Sequence, residues 1–396
     1  MVSADVETRI RSVGTQLSSS FRALVDALPE QPRRPQQLAA ALGVNRNVSG
    51  RILALATAND PLLAIDAVPS LNPIWRALSA ARGTAVPDAM IDEAESSLRA
   101  YEQLVTELAG DRSSFDALLS SMLPAARERF ELSAKHSLFR GASLYKGAMA
   151  DTWFHTAIVH PSSEDPTMHD VAYVYGTLGL RRLRPRVVVK FAYRQFGTPT
   201  SDWFGLDGAV LSASSADALD AFCPGQPGRM RLEGHGNGAR LTLEDAGIGP
   251  DAAVDKVLGE LRPSAMSRVA AETARNAKSL FVAPVIPVKQ LVFDVLLHED
   301  VYPGSEPSLR MYDTVVEGLA SVNDASRDPD VLDSHEELLV LGRDARRYSM
   351  VELPRYGELL AHACDALNWD PSGFRGYRCR VQYPMHGCQV CMVLDV

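Results

Sequence analysis

A chain of 396 residues, 46% apolar and 22% charged, has the material for two or three packed domains at roughly 100–200 residues each. That excludes a disordered chain, a collagen-like chain and a small disulfide scaffold. The net charge of −9 is uneven: residues 1–82 carry nine Arg or Lys against six Asp or Glu, so the head is +3 and the remainder −12. This charge distribution argues against non-specific coating of DNA by the whole chain, while a nucleic-acid contact stays open at the head.

The opening MVSADVETRI carries acids and no apolar run, so it does not read as a signal peptide. Val6, Ile10, Val13, Leu17, Phe21, Leu24 and Leu28 then recur at steps of three and four, the stripe of an amphipathic helix. Pro32 and Pro35 punctuate, and Gln36 to Leu42 forms a short helix ending at Gly43. Asn45 suits the cap of a helix running to about Ala58, where Asn59-Asp60-Pro61 ends it. A short apolar piece, Leu62 to Val68, and a short helix, Leu71 to Ala81, complete the head.

After a break at Gly83 to Pro87, Met90, Ala94, Leu98, Tyr101, Val105 and Leu108 make a second long stripe. Helical patterning continues over Phe115–Met122 and from Ala125 to about Lys146. The stripe is wider than one short helix covers, so a helical hairpin or a dimer interface is expected here. The period then changes from 3.6 to 2. Val187–Arg194, Lys289–Leu297 and Tyr377–Tyr383 alternate as strands, and Met230 and Leu232 pair with Leu241 and Leu243 across Gly234–Gly238. One helix is expected at Leu353–Leu367 and a mobile loop at Ser321–Ser334. Ser279 to Leu297 is the most apolar stretch, but Pro284, Pro287, Lys289, Gln290 and Asp294 interrupt it, so no membrane span is expected.

Five patterns bear on chemistry. The sharpest runs from Gln37 to Leu53. Ala39 is the small residue needed where two helices meet, and Leu42-Gly43-Val44 is a turn flanked by apolar residues. Val48, Ile52 and Leu55 form an inner face, with Asn45, Arg46, Asn47 and Arg51 outside. This stretch resembles the helix-turn-helix of bacterial transcriptional regulators, in particular the winged MarR-like and IclR-like groups, over about residues 8–82. The resemblance implies that Asn45, Arg46, Asn47 and Ser49 face bases, that Arg51, Arg33 and Arg34 meet phosphate, and that Leu62–Val68 is the wing. That wing has no basic residue, and a three-helix bundle or a winged helix turned to protein contact remains an alternative.

The second pattern is a basic run. Arg181, Arg182, Arg184, Arg186, Lys190 and Arg194 fall in a stretch, Val171 to Thr200, without Asp or Glu. They are candidates for a small anionic ligand, nucleic-acid backbone or an acidic partner, against a solvated strand face paired with acidic neighbours from elsewhere in the fold. Third, His155, His160, Glu164, Asp165, His169 and Asp170 have metal-ligand chemistry, but strand parity sends His155 and His160 to opposite faces. Fourth, Cys388 and Cys391, with Cys379 and His386 nearby, resemble a zinc inventory, but alternation separates the two cysteines, and buried small apolar side chains are expected. Fifth, Gly234-His235-Gly236-Asn237-Gly238 lacks the strand–helix context of a dinucleotide loop and reads as a hairpin turn.

The expected fold is multidomain. An all-α winged-helix head (1–85) and a helical connector or dimerisation segment (86–147) precede a β-rich α+β domain (148–396) with a mostly antiparallel sheet. The expected function is a cytoplasmic DNA-binding transcriptional regulator, homodimeric on double-stranded DNA, with a C-terminal sensing or interaction domain. The sparse, odd count of five cysteines suits a reducing compartment. No cofactor, metal or membrane is expected, and no catalytic residue is assigned. A scaffold protein, or an enzyme with its site in the C-terminal domain, are the alternatives.

Overall fold

The structure is a computed structural model describing residues 4–29, 31–195, 203–211, 217–235, 238–244, 247–268 and 275–396. It divides into two compact units, residues 1–131 and 132–396. Helices come first and a sheet-rich region follows, a multidomain α+β chain.

The described part of the first unit is helical: α1 (Ala4–Ala27), α2 (Pro35–Leu42), α3 (Arg46–Thr57), α4 (Pro61–Ala67), α5 (Leu71–Ala81), α6 (Asp88–Ala109) and α7 (Arg112–Ser120). The α1 stripe is buried as its spacing predicts, through Ile10, Leu17, Phe21 and Leu24. The stripe on α6 joins the same core: Ile91, Ala94, Leu98 and Tyr101 pack with the α1 residues, and the Ser20 and Ser97 hydroxyls meet at 2.7 Å. The face expected to await a second chain is therefore covered inside the unit, and of the expected connector, residues 86–131 belong to the first unit and 132–147 to the second. The expected wing, Leu62–Val68, is also different. Asp60 accepts the Leu62 amide and Pro61 sits at the first helical position, so the segment winds as α4. Gly14 lets α1 cross α4 closely, since a Cβ there would stand 2.2 Å from the Pro61 carbonyl oxygen.

Helix α8 (Pro124–Lys146) leads into the second unit. Its strands are β1 (Ala148–Pro161), β2 (Met168–Arg182), β3 (Lys190–Gln195), β4 (Asp217–Ala218), β5 (Met230–His235), β6 (Gly238–Leu243) and β7 (Val254–Ser267). Then come β8 (Ala277–Val282), β9 (Val288–His298), β10 (Ser308–Asp313), β11 (Leu338–Arg343), helix α9 (Tyr356–Ala366), β12 (Phe374–Gln382) and β13 (Cys388–Asp395). Seven strands form one mixed sheet in the order β11-β12-β9-β1-β2-β7-β4, in which β1 and β9 run parallel and the other pairings are antiparallel. Among the described residues there are also two three-stranded sheets, β10-β13-β8 and β3-β6-β5.

One face of the large sheet packs against residues of β13, β8 and β6, with Trp153, Phe293 and Val295 meeting Val390 and Leu241. The other face carries Phe154, Ile158 and Leu296 against α9 and the loop before it. The Met230↔Leu243 and Leu232↔Leu241 pairs form as the alternation predicts; Gly236 and Asn237 of their turn lie outside the described residues. Ser321–Ser334, expected as a mobile loop, is anchored. Arg327 is buried and donates to the Gly318 and Leu319 carbonyls and to Asp330.

Candidate nucleic-acid interface

Local chemistry explains the α2-turn-α3 unit. The main-chain amides of Arg33 and Arg34 both donate to Gln37 Oε1, which starts α2. Gly43 ends it at φ +61°, a left-handed conformation that glycine adopts without strain. Asn45 Oδ1 then accepts the Val48 amide at 2.9 Å and starts α3. Val48, Ile52 and Leu55 face inward, as expected.

The expected DNA-facing residues divide into two groups. Asn45, Arg46 and Asn47 are exposed on the first turn of α3, and Arg34 is exposed at the start of α2. Arg46 makes no ion pair or side-chain hydrogen bond among the described residues. Arg33 is exposed and pairs with Asp26 at 3.0 Å.

Ser49 and Arg51 are different. Ser49 is fully buried, and its hydroxyl donates to the Pro35 carbonyl at 2.7 Å, so it joins the two helices and does not face bases. Arg51 donates to the carbonyls of Asp66, Ala67 and Val68 at 2.6, 3.1 and 2.9 Å. Its guanidinium closes the C-terminus of α4, where unpaired carbonyls need donors, and is not offered to phosphate.

The basic run does not form one patch. Arg181 is paired with Asp151 at 2.7 Å, and Arg182 donates to the carbonyls of Val187, Leu243 and Glu244. Arg184 donates to the Tyr145 carbonyl. Arg186 and Lys190 are exposed. Arg194 lies on β3 opposite Ala239, and its side chain is outside the described part. Arg182, Arg186 and Arg231 do line a cleft of about 680 Å3, but Glu233 and Glu244 share it, so the lining is of mixed charge.

The histidines disperse. His155 packs among Tyr173, Tyr175 and Phe293 on the inner face of the large sheet, and burial pulls its imidazole down to about 4. His160 stacks on Trp369 on the opposite face. His169 is buried against Tyr302 with neither ring nitrogen hydrogen-bonded, and burial pulls it too down to about 4. Asp165 folds back onto Thr167, and Asp170 accepts the Ser264 amide. Glu164 sits in the same turn. Cys388 points into the inter-sheet core and Cys391 into a separate small cluster with Tyr312 and Val322. Burial pushes the Cys379, Cys388 and Cys391 thiols up to about 12.

Two polar groupings went unread in the sequence. Asp294 is fully buried and takes a two-pronged contact from Arg378 at 2.8 and 2.7 Å. Tyr356 donates to the same carboxylate at 2.6 Å, and its own oxygen lies 2.8 Å from the Thr156 hydroxyl. The signal was a charged residue inside the apolar run Leu291–Leu297. On the inner face, Tyr175 donates to the buried Glu260 at 2.7 Å, and Arg262 stacks over Trp203. The Asp294 group is internally satisfied and holds strands to helix; it presents no reactive atom to solvent.

No helix among the described residues is long and apolar enough to cross a membrane. No protein-family model matches the chain, and no curated protein is detectably similar to it. A solved structure, provisionally described as a protease from Parabacteroides distasonis, aligns over 63% of this chain and 40% of its own, at 8% identity and a TM-score of 0.29. The chain thus spans less than half the length of that protein, and a likeness of this size transfers neither fold nor activity.

Proposed function

We propose that the protein is a cytoplasmic DNA-binding regulator whose first unit reads duplex DNA with α3. Arg46 and Asn47 face base edges in the major groove, and Arg34 contacts phosphate at the N-terminus of α2. In this reading α4 stands where a winged module has its hairpin, so the head is a helix-turn-helix with a helical wing substitute. The second unit then serves as the sensing or partner-binding part. The observation that carries the reading is the first turn of α3: Asn45, Arg46 and Asn47 are exposed in sequence while Val48 and Ser49 turn inward.

Selection of bound duplexes from a random pool by the full chain tests it. A recovered motif whose binding R46A weakens by about 1–3 kcal/mol supports base readout. Recovery of no motif, with R46A and the parent equal, removes it. A second reading, protein contact through the same helices, is favoured by α4, which carries no basic residue. Under that reading duplex DNA is not bound even at low salt.

A further inference from the structure

We propose that the cleft between the β2–β3 loop and the end of β6 binds a zwitterion with an apolar body, an apolar amino acid or a short apolar peptide with free ends. Arg186 takes its carboxylate and Glu244 its ammonium group. This inference stands independently of the DNA-binding reading.

The cleft measures about 680 Å3, within the range of small-molecule sites. Arg182 fastens its walls. Its guanidinium donates to the Val187 carbonyl on one side and to the Leu243 and Glu244 carbonyls on the other, at 2.8, 2.8 and 3.2 Å. The Leu243 amide donates to the Val189 carbonyl at 3.0 Å, and the Gly249 amide to the Arg182 carbonyl at 2.9 Å. The segment with Arg186 and Val188, the end of β6 and the segment with Ile248 are thus tied together before any ligand arrives. Little ordering is left for binding to supply.

The charges lining the cleft select the ligand. Glu233 is matched, by Arg240 at 3.2 Å and by Arg231 at 3.5 Å. Arg186 and Glu244 are left over. Both are exposed, they do not pair with one another, and among the described residues neither side chain has an ion pair or a hydrogen bond. A simple anion drawn to Arg186 is repelled by Glu244, and a simple cation drawn to Glu244 is repelled by Arg186. A zwitterion satisfies both. The same cleft presents Val188 and Ile248, 70% and 51% exposed, so the body that joins the two ligand charges is apolar. Arg186 also holds φ +63°, a left-handed conformation uncommon outside glycine, and such positions cluster at ligand clamps.

The test is isothermal titration calorimetry of the full chain with leucine and trileucine, and with the N-acetyl and amide forms of each. Saturable binding of the zwitterion is expected. Each blocked form should bind roughly tenfold more weakly, since each loses one charge-assisted contact. Leucine that binds at least as tightly as trileucine assigns the cleft to free amino acids, and tighter binding of trileucine assigns it to peptides. R186Q and E244Q, both at exposed positions, should keep the parental circular dichroism. R186Q should bind the zwitterion and its amide equally, and E244Q should bind the zwitterion and its N-acetyl form equally. Absence of saturable binding of both leucine and trileucine at millimolar concentration overturns the proposal. So does binding that is indifferent to blocked ends, or binding whose preference for free ends survives in both variants.

Discussion

Arg46 and Arg51 lie five positions apart on α3, yet their environments differ. Arg46 is exposed, whereas Arg51 holds three carbonyls at the end of α4. R51A should therefore lower the stability of the first unit by about 1–2 kcal/mol, through carbonyls left unmet. R46A should change it by less than about 0.5 kcal/mol, as expected for an exposed side chain without partners. Urea unfolding of the two variants checks the contrast; equal losses would show that Arg46 is structural. In the second unit, D294N leaves Arg378 buried without its counter-charge and should cost about 3–5 kcal/mol. Y356F removes one hydrogen bond to the same carboxylate and should cost less, about 1–2 kcal/mol.

His155 and His169 add a pH dependence with a definite sign. Both imidazoles are held down from 6.5 to about 4 by burial. Between those values the unfolded chain binds protons that the folded chain refuses, so stability is complete above about pH 6.5 and falls as pH drops toward 4. Each histidine withdraws roughly 2–3 kcal/mol over that window. H169F should flatten the slope, because it replaces two unbonded ring nitrogens with an apolar ring of similar shape. An unchanged slope in chemical unfolding between pH 7 and pH 4 would contradict this assignment.

Among the elements, α6 shows what its stripe is for. Leu98 is fully buried within the first unit, so L98E should unfold that unit, at a cost of at least about 3 kcal/mol, instead of separating two chains. Loss of helical circular dichroism distinguishes the outcomes. G14A should cost about 1–3 kcal/mol by forcing α1 away from the Pro61 carbonyl. Periodicity made α1, α3 and α6 legible, because a stripe repeated over several turns has one explanation. It failed at Leu62–Val68, where seven apolar-rich residues show no period. There the Asn59-Asp60-Pro61 stop is also a start: Asp60 caps and Pro61 opens α4. Ser49 was misplaced because a small polar residue suits either a base contact or a buried bond to a carbonyl. In the basic run, Arg181 and Arg182 follow the alternative reading, side chains paired with groups from elsewhere in the fold. The partners of Arg181 and Arg182, Asp151 and the Leu243 and Glu244 carbonyls, lie 30 to 62 residues away, and no local pattern records them. The separation of Cys388 from Cys391 was legible, since strand alternation alone decides it.

At the scale of the whole molecule, a small helical unit carries the exposed turn with Arg46, and a larger sheet unit carries the buried ionic network of Asp294 and Arg378. The central claim concerns the first. Fluorescence anisotropy of the full chain with a labelled duplex, repeated over a range of salt concentrations, tests it most directly. The affinity should fall linearly on a log–log scale with salt as counterions are released. R34A should reduce the slope by about one unit, the signature of one lost phosphate contact, and R46A should weaken binding to the selected motif more than to random sequence. Binding that is absent at low salt, or present but unaltered by R34A and R46A, would contradict the account.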